Sequence, residues 1–221
     1  MKMKKFDTNR MVGVALMAAL IILLANTPLG MIQLPVIKAT TVHIPVIIGA
    51  VLFGPAAGSL LGAVFGICSM VSNTTAPTLL SFAFSPFVAA ATGGAAGAAK
   101  ALWIAVGCRV MIGLVSGWLW IGLKKLRLPD MAALPIVGFV GSMTNTVFVM
   151  GSIYALLASQ YADAKQVAIS AVYGLIMGTV TGAGVMEAIA ALVLVTAIGK
   201  VLLNAVIRTS MLGTAKSETA A

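Results

Sequence analysis

The chain has 221 residues, of which 61% are hydrophobic and only 9% are charged, and its formal net charge is +9. Soluble domains carry about 25% charged residues, so this composition excludes a soluble globular protein and indicates an integral membrane protein. No aromatic-rich basic region accompanies the positive charge. We therefore attribute the charge to membrane topology and not to nucleic-acid binding.

Six continuous apolar runs predict an all-α membrane protein, because transmembrane strands would alternate every second residue. The first run follows a basic N-terminal segment without a clear cleavage site, so we expect a retained first helix and not a signal peptide. The segments 73–100 and 158–180 are rich in small residues and are left outside the spans, with a loop or partial helix leading into the last one. The whole chain, 1–221, is expected to form one compact bundle. The predicted spans cover about residues 10–27, 43–54, 57–72, 101–123, 132–157 and 181–207. The second is short, and Gly54-Pro55 is predicted to turn it directly into the third.

Basic residues predict the orientation of this bundle. Six spans place three basic clusters on one side, which the positive-inside rule makes cytoplasmic, together with both termini. A seventh span at 82–99 would put "KKLR" outside while the N-terminus lay inside, so we reject it. The three clusters are Lys2, Lys4, Lys5 and Arg10; Lys124, Lys125 and Arg127; and Lys200, Arg208 and Lys216.

Three polar side chains lie inside the spans, at Arg109, Asn145 and Glu187. A charge at the centre of a bilayer costs about 2.5–3.5 kcal/mol on insertion scales, so such residues mark functional sites by default. Arg109 lies roughly 12 Å below the outer end of its span, at about 1.5 Å per residue. The three side chains are expected to converge in the outer half of the bundle. They either line a polar pocket for a small solute, or Arg109 and Glu187 form a structural ion pair.

Other candidate residues lie near the same predicted outer surface. His43 is the one histidine of the chain and begins the second span, where it is either a ligand contact or an interfacial side chain bonded to a loop carbonyl. Asn73 begins the second outer loop and either contributes to a lid or ends a helix. Thr144 adds polarity beside Asn145, and Trp103 lies where interfacial aromatic residues belong.

Small residues and missing motifs limit the remaining possibilities. Ala15 and Ala19, with Ala18 between them, form a ridge on the first span that either packs internally or docks a partner. Cys68 and Cys108 lie in apolar runs and are interpreted as core residues. No phosphate-binding loop is present, so the chain is not expected to hydrolyse ATP, and neither an enzyme nor a metal site is expected.

The order of these motifs resembles a known family. The stretch "HIPVIIGAVLFGPAAGSLLGAVFGICSM", then "RVMIGLVSGWL", "GSMTNTVFVMGSIYALL" and Glu187 resemble the substrate-binding S component of energy-coupling factor (ECF) vitamin transporters. The resemblance covers nearly the whole chain. Within the family, "HIPVIIGAVLFGP", "SFAFSPF" and "NTVFVMG" are most similar to the pantothenate-specific branch.

This resemblance implies a function for a chain without its own energy source. It implies a protein of the bacterial cytoplasmic membrane that binds a water-soluble vitamin outside the cell. It would then dock through Ala15, Ala18 and Ala19 on a transmembrane T component driven by two ATPase subunits, with ATP consumed on those partners. For pantothenate, Arg109 would pair with the carboxylate and Asn145 with the amide. His43 or Asn73 would reach a hydroxyl, and Trp103 or Phe84 would cover the apolar part.

Two other functions stay open from the sequence. The first keeps the family and changes the substrate to pyridoxine or hydroxymethylpyrimidine. The second is a structural membrane subunit that binds no ligand. A ligand-dependent gain in thermal stability separates the binding protein from the structural subunit.

Overall fold

The computed structural model describes residues 8–33 and 38–219, with side chains for residues 8–28, 30 and 40–205. The basic residues Lys2, Lys4 and Lys5 lie outside the described residues, and the side chains of Arg208 and Lys216 lie outside the described side chains. A β-hairpin of β1 (Met31–Gln33) and β2 (Lys38–Thr40) follows the first helix. The helices are α1 (Thr8–Ala25), α2 (His43–Phe53), α3 (Pro55–Thr75), α4 (Ser81–Phe84), α5 (Pro86–Leu102), α6 (Cys108–Lys125), α7 (Asp130–Lys165), α8 (Val172–Thr179) and α9 (Val185–Thr219).

Five helical segments of the described chain are long and apolar enough to cross a membrane, which confirms the predicted class of helical membrane protein. The predicted second span corresponds to α2, an apolar helix of 11 residues that is shorter than the other five. The five segments are Thr8–Ala25, Pro55–Thr75, Pro86–Lys125, Asp130–Lys165 and Ile169–Ala205.

The predicted turn between the second and third spans is confirmed at Gly54 and Pro55. Gly54 has a φ of +88°, a backbone conformation that residues with a Cβ rarely adopt. Pro55 then occupies the first turn of α3, where its missing N–H costs no helical hydrogen bond. The two helices therefore reverse direction within a single residue.

The helical stretch that contains the fourth predicted span begins earlier than that span, within the segment left outside it. α5 continues through a π-helical turn, Trp103–Gly107, into α6. Ser85 caps the start of α5 by accepting a hydrogen bond from Val88 N–H at 3.3 Å, and the helix is rich in alanine, the best helix former. The segment was left outside the spans because a seventh span would have reversed the orientation, and that argument does not exclude a helix continuous with α6.

The helices that contain the last two predicted spans also extend beyond them. α7 extends to Lys165, although its backbone is non-helical at Leu157, the predicted end of the span. The segment before α9 is helical in pieces, as the sequence predicted for a partial helix. It consists of a 3-10 turn (Ile169–Ala171), α8 and a π-helical turn (Val180–Gly184).

The tightest packing in the bundle joins α3 to α6. A Cβ added at Gly113 would meet the backbone of Gly58, and a Cβ added at Gly62 would meet the backbone carbonyl of Arg109. Such contacts require glycine, because only a residue without a side chain lets two helix backbones approach this closely. We call this α3–α6 contact the glycine seam.

Contacts between helix ends define two ends of the bundle. At one end, Arg10 Nη2 donates to the Phe53 carbonyl at 2.6 Å, and Gly117 packs against Pro55. The opposite end carries the hairpin and α4. The seam therefore runs between two ends of different chemistry, and the polar cavity described next lies toward the hairpin end.

Candidate binding cavity

A polar cavity of about 200 Å³ lies between α6, α7, α9 and the hairpin. It contains the three intramembrane polar residues that the sequence singled out, so their predicted convergence is confirmed. The lining residues are Thr40, Phe84, Arg109, Asn145, Thr146, Val149, Met150, Thr179, Ala183, Gly184 and Glu187.

Arg109 is held from two sides. Its guanidinium carbon lies 5.4 Å from the ring centre of Phe65 and 4.8 Å from that of Phe84. Both distances are within the range of cation–π attraction, which is strongest when the cation is out of water. Arg109 Nη1 also donates to the carbonyl of Ile104, inside the π-helical turn. The guanidinium is thus oriented without a carboxylate.

Glu187 has a different partner from the one considered in the sequence. Its Oε1 accepts a hydrogen bond from the backbone N–H of Thr40, at the end of β2, with an N···O distance of 2.8 Å. Among the described side chains, the ion pair within 4.0 Å is Lys124–Asp130, at the opposite end of the bundle. The structure therefore does not contain the Arg109–Glu187 ion pair, and both charges border one cavity.

Asn145 contributes an acceptor to the cavity wall. Its Oδ1 is buried and has no hydrogen-bond partner in the part of the chain that the structure describes. Buried polar atoms are nearly always paired in proteins, so an unpaired one in a cavity identifies a candidate ligand contact. Its neighbour Thr146 also lines the cavity, packed against Gly184 of the second π-helical turn.

Irregular helix geometry recurs around this site. The turn Trp103–Gly107 directly precedes Arg109's helix, and the turn Val180–Gly184 supplies two lining residues, Ala183 and Gly184. π-helical turns are rare and frequently lie at functional sites, since they re-aim side chains and carbonyls. Apolar periodicity in the sequence gives no sign of them.

Four predicted site residues do not line this cavity, and their role in binding stays a prediction. Asn73 is bonded at the end of α3, where it accepts from Ser81 Oγ at 3.0 Å and donates to the Ser69 carbonyl. Thr144 donates to the Val140 carbonyl within its own helix. Trp103 is half exposed, and its indole N–H donates to Ser152 at 3.1 Å.

His43, the fourth of these residues, lies deeper than its predicted position at the mouth of the site. It is only 1% exposed, and neither ring nitrogen has a hydrogen-bond partner within the described residues. The predicted bond to a loop carbonyl is therefore not seen among those residues. The imidazole occupies the first turn of α2, directly after the hairpin.

Several lining residues were not among the predicted site residues, and three of them are informative. Thr146 follows Asn145 in the sequence, and Phe84 had been considered only as a cover for the ligand. Thr40 lies in "KATTVH", the polar segment before α2. The threonine run was a usable signal for the site, whereas the bond from Thr40 to Glu187 spans 147 positions and leaves no local trace.

A larger hollow of about 900 Å³ lies on the outer face of α6 and is lined by that helix and by Leu126, which follows it. Its lining is almost wholly apolar, so it fits lipid chains and not a polar solute. No group of three or more histidine, cysteine or acidic side chains that would hold a metal is found in the described part of the chain. We therefore place the candidate site in the smaller polar cavity.

The predicted docking ridge lies on the surface of α1. Ala15 and Ala19 are exposed, and Ala18 is partly buried against the core. Ile21 is the one fully buried residue among the described side chains of this helix. α1 thus presents Ala15 and Ala19 on its outer face.

Comparison with known proteins identifies the family. The profile of the family described as "ECF transporter, substrate-specific component" matches residues 9–199. The chain belongs to this family of S components. An S component is a multi-pass protein of the bacterial cell membrane, in agreement with the five long apolar helices.

One curated relative shares part of this S component's sequence. The pantothenic acid transporter PanT of Lactococcus lactis subsp. cremoris (strain MG1363) is 35% identical over 123 residues. The alignment covers 56% of this chain and 60% of PanT. The S component therefore matches less than two thirds of that relative's length.

Proposed function

We propose that this S component binds pantothenate from outside the cell and delivers it inward with partner subunits. The observation that carries the proposal is the cavity itself, which combines a guanidinium without a carboxylate partner among the described residues with an unpaired amide oxygen. The similarity to PanT supports the choice of substrate. An alternative vitamin of the pyridoxine or hydroxymethylpyrimidine type carries no carboxylate, so it would leave Arg109 without a partner of opposite charge.

The cavity chemistry sets the proposed orientation of the ligand. Its carboxylate faces Arg109, where a hydrogen bond to a charged group contributes about 1.5–3 kcal/mol. Its amide N–H donates to Asn145 Oδ1. Val149 and Met150 contact the gem-dimethyl group, and Thr146 offers a hydroxyl to the ligand's polar end.

The proposed topology has six spans with both termini in the cytoplasm. The short α2 counts as one span, because it connects the hairpin end of the bundle to the end where α3 begins. Lys124, Lys125 and Arg127 then lie at the cytoplasmic end, and the cavity opens toward the outside. The whole described chain forms a single domain in this proposal.

The proposed partners are a transmembrane T component and two ATPase subunits, which would supply the ATP hydrolysis that this chain lacks. Membership of the family supports this assembly. Docking would use the exposed face of α1 at Ala15 and Ala19, since small residues allow close helix contact without polar groups that bind too firmly. No catalytic role is proposed for the chain itself.

The first test is thermal unfolding of the purified protein in detergent with pantothenate, pyridoxine and hydroxymethylpyrimidine. A ligand that binds only the folded state stabilises it by RT ln(1+[L]/Kd), about 2.7 kcal/mol at a hundredfold excess over Kd. We expect a shift with pantothenate alone. A shift with another vitamin would overturn the substrate, and no shift for a folded sample would favour a structural subunit.

Arg109→Gln tests the role of the guanidinium. The variant should weaken pantothenate binding by about tenfold or more, because it removes a charged hydrogen bond. It should change binding of the corresponding alcohol, in which CH2OH replaces the carboxylate, far less. Equal losses for both ligands, measured by calorimetry, would show that Arg109 only supports the fold.

Ala15→Trp and Ala19→Trp test the docking surface. Each should abolish uptake of radiolabelled pantothenate in cells that contain the partner subunits, because the indole prevents close helix contact. Binding by the isolated chain should be unchanged. Leu20→Trp is the matched control, since Leu20 is also exposed on α1 but points roughly 100° away from Ala19. Normal uptake by both alanine variants would remove α1 as the docking helix.

A further inference from the structure

Glu187 binds the hairpin and not the Arg109 guanidinium that borders the same cavity. It is the one carboxylate among the lining residues of the cavity, and it lies in the first turn of α9. Its observed partner is not Arg109 but Thr40, whose backbone N–H donates to it at 2.8 Å and whose side chain also interacts with the carboxylate. A hydrogen bond to a carboxylate is stronger than one between neutral groups.

The hairpin explains why this N–H is available. Met31 pairs with Thr40, and the flanking bond runs from Thr41 N–H to the Gly30 carbonyl at 3.0 Å. In an antiparallel ladder this pattern makes Met31 and Thr40 a non-hydrogen-bonded pair, so the Thr40 N–H points away from β1. An edge donor of this kind needs another acceptor when it is removed from water, and Glu187 supplies it.

Arg109 is held in place by contacts that do not involve Glu187. Its guanidinium lies over Phe65 and Phe84 and donates to the Ile104 carbonyl, so its orientation does not depend on Glu187. The two opposite charges of the cavity are therefore engaged separately. Glu187 holds the hairpin, and Arg109 keeps its charge without a carboxylate partner in the described structure.

We propose that Glu187 is a positioning residue that holds strand β2 of the hairpin, Lys38–Thr40, against the cavity, and that this bond leaves Arg109 accessible to an anionic ligand. The first part stands on the hydrogen bond and the strand register. The second part rests on the proposed function, because it concerns a carboxylate ligand. Glu187 then acts on the ligand through the hairpin and through its separation from Arg109.

The test compares two substitutions at each partner of the bond. Glu187→Gln retains a side-chain oxygen that can accept, whereas Glu187→Ala does not. Thr40→Pro removes the backbone donor, whereas its control Thr40→Ser retains both the backbone donor and the hydroxyl. Proline is compatible with this position because it lies on an edge strand and its N–H is not part of the ladder.

The readout is the rate of trypsin cleavage after Lys38, in β2, measured by mass spectrometry on the ligand-free protein. Glu187→Ala and Thr40→Pro should each cleave faster by about tenfold or more, as expected for the loss of one hydrogen bond to a charged group. Glu187→Gln and Thr40→Ser should stay within a few-fold of the parent. The double variant Glu187→Ala/Thr40→Pro should cleave no faster than either single variant, because both remove the same bond.

Parent-like cleavage in Glu187→Ala would overturn the proposal, and so would equal acceleration in Glu187→Ala and Glu187→Gln. Thermal unfolding of each variant separates local hairpin release from global unfolding; if Thr40→Pro does not fold, the Glu187 pair decides alone. Pantothenate binding is then measured separately. Loss of the cleavage pattern with intact pantothenate binding rejects the role of Glu187, whereas an intact pattern without vitamin binding rejects the proposed function.

Discussion

The glycine seam and the cavity wall on α7 and α9 are built by opposite means. At the seam, α3 and α6 meet backbone to backbone at Gly58, Gly62 and Gly113. At the cavity wall, a π-helical turn and the side chains of Asn145 and Glu187 leave a space between helices. On this side of the bundle, a Cβ added at the glycines 174, 178 or 182 would meet nothing within 4 Å.

The difference between the two regions shows how the buried charge of Arg109 is held in place while the cavity beside it stays open. The seam fixes the backbone of Arg109, because Gly62 contacts its carbonyl. The cavity wall holds its polar groups through side chains and through the hairpin. Rigid backbone contact thus positions the cation, and adjustable contacts surround the space for the ligand.

Of the variants that compare the two regions, Gly113→Leu should lower stability the most. The leucine side chain would clash with the backbone of Gly58, and a backbone cannot relieve the clash by a change of rotamer. Overpacking a core typically costs about 1–3 kcal/mol, and we expect the upper end or more here. Size-exclusion profiles and thermal unfolding should show a protein that aggregates or melts far below the parent.

Gly178→Leu is the matched control for this variant, since a Cβ there meets nothing within 4 Å. It should fold with a near-parental melting temperature. Equal destabilisation of the two variants would mean that the seam is no more demanding than the α8 surface.

Two alanine substitutions should have smaller effects, which differ between the two regions in how far they lower stability as well as ligand binding. Gly62→Ala should lower the free energy of unfolding by about 1–3 kcal/mol and also weaken pantothenate binding, because it displaces the Arg109 carbonyl. Gly184→Ala should weaken binding with a smaller loss of stability, since the atoms nearest its Cβ belong to the Thr146 side chain and not to backbone. Calorimetry and thermal unfolding on both variants measure the two quantities. A binding loss without a stability loss in Gly62→Ala would contradict the role of the seam.

Much of the candidate site could be predicted because charge in a membrane is costly. Arg109, Asn145 and Glu187 stand out from apolar surroundings, and their depth in the predicted spans placed them at one level of the bundle. The cavity confirms that convergence. The choice between an ion pair and separate partners was not accessible, because it depends on a contact between Glu187 and Thr40 across 147 positions.

In the fold, too, local features were predictable from the sequence and features set by distant contacts were not. Hydropathy predicted the long apolar helices, and Gly54-Pro55 predicted the reversal between α2 and α3, since these signals are local. The helix of α5 was missed, because the positive-inside rule excluded a separate span there and gave no sign that this segment continues into α6 as one helical stretch. Similarly, Asn73 was considered for a lid, whereas its bond to Ser81 follows from where the chain returns after α3.

The sequence by itself determined the membrane class, the polar residues that had to be sheltered from lipid and the small residues that let helices approach. These follow from transfer free energies and side-chain size, which belong to each residue alone. The tertiary structure decided which partner each polar group has. It oriented Arg109 between Phe65 and Phe84, and it gave Glu187 to the hairpin. Hydrogen bonds and cation–π contacts act over a few ångströms, so only the folded chain determines which groups come within their reach.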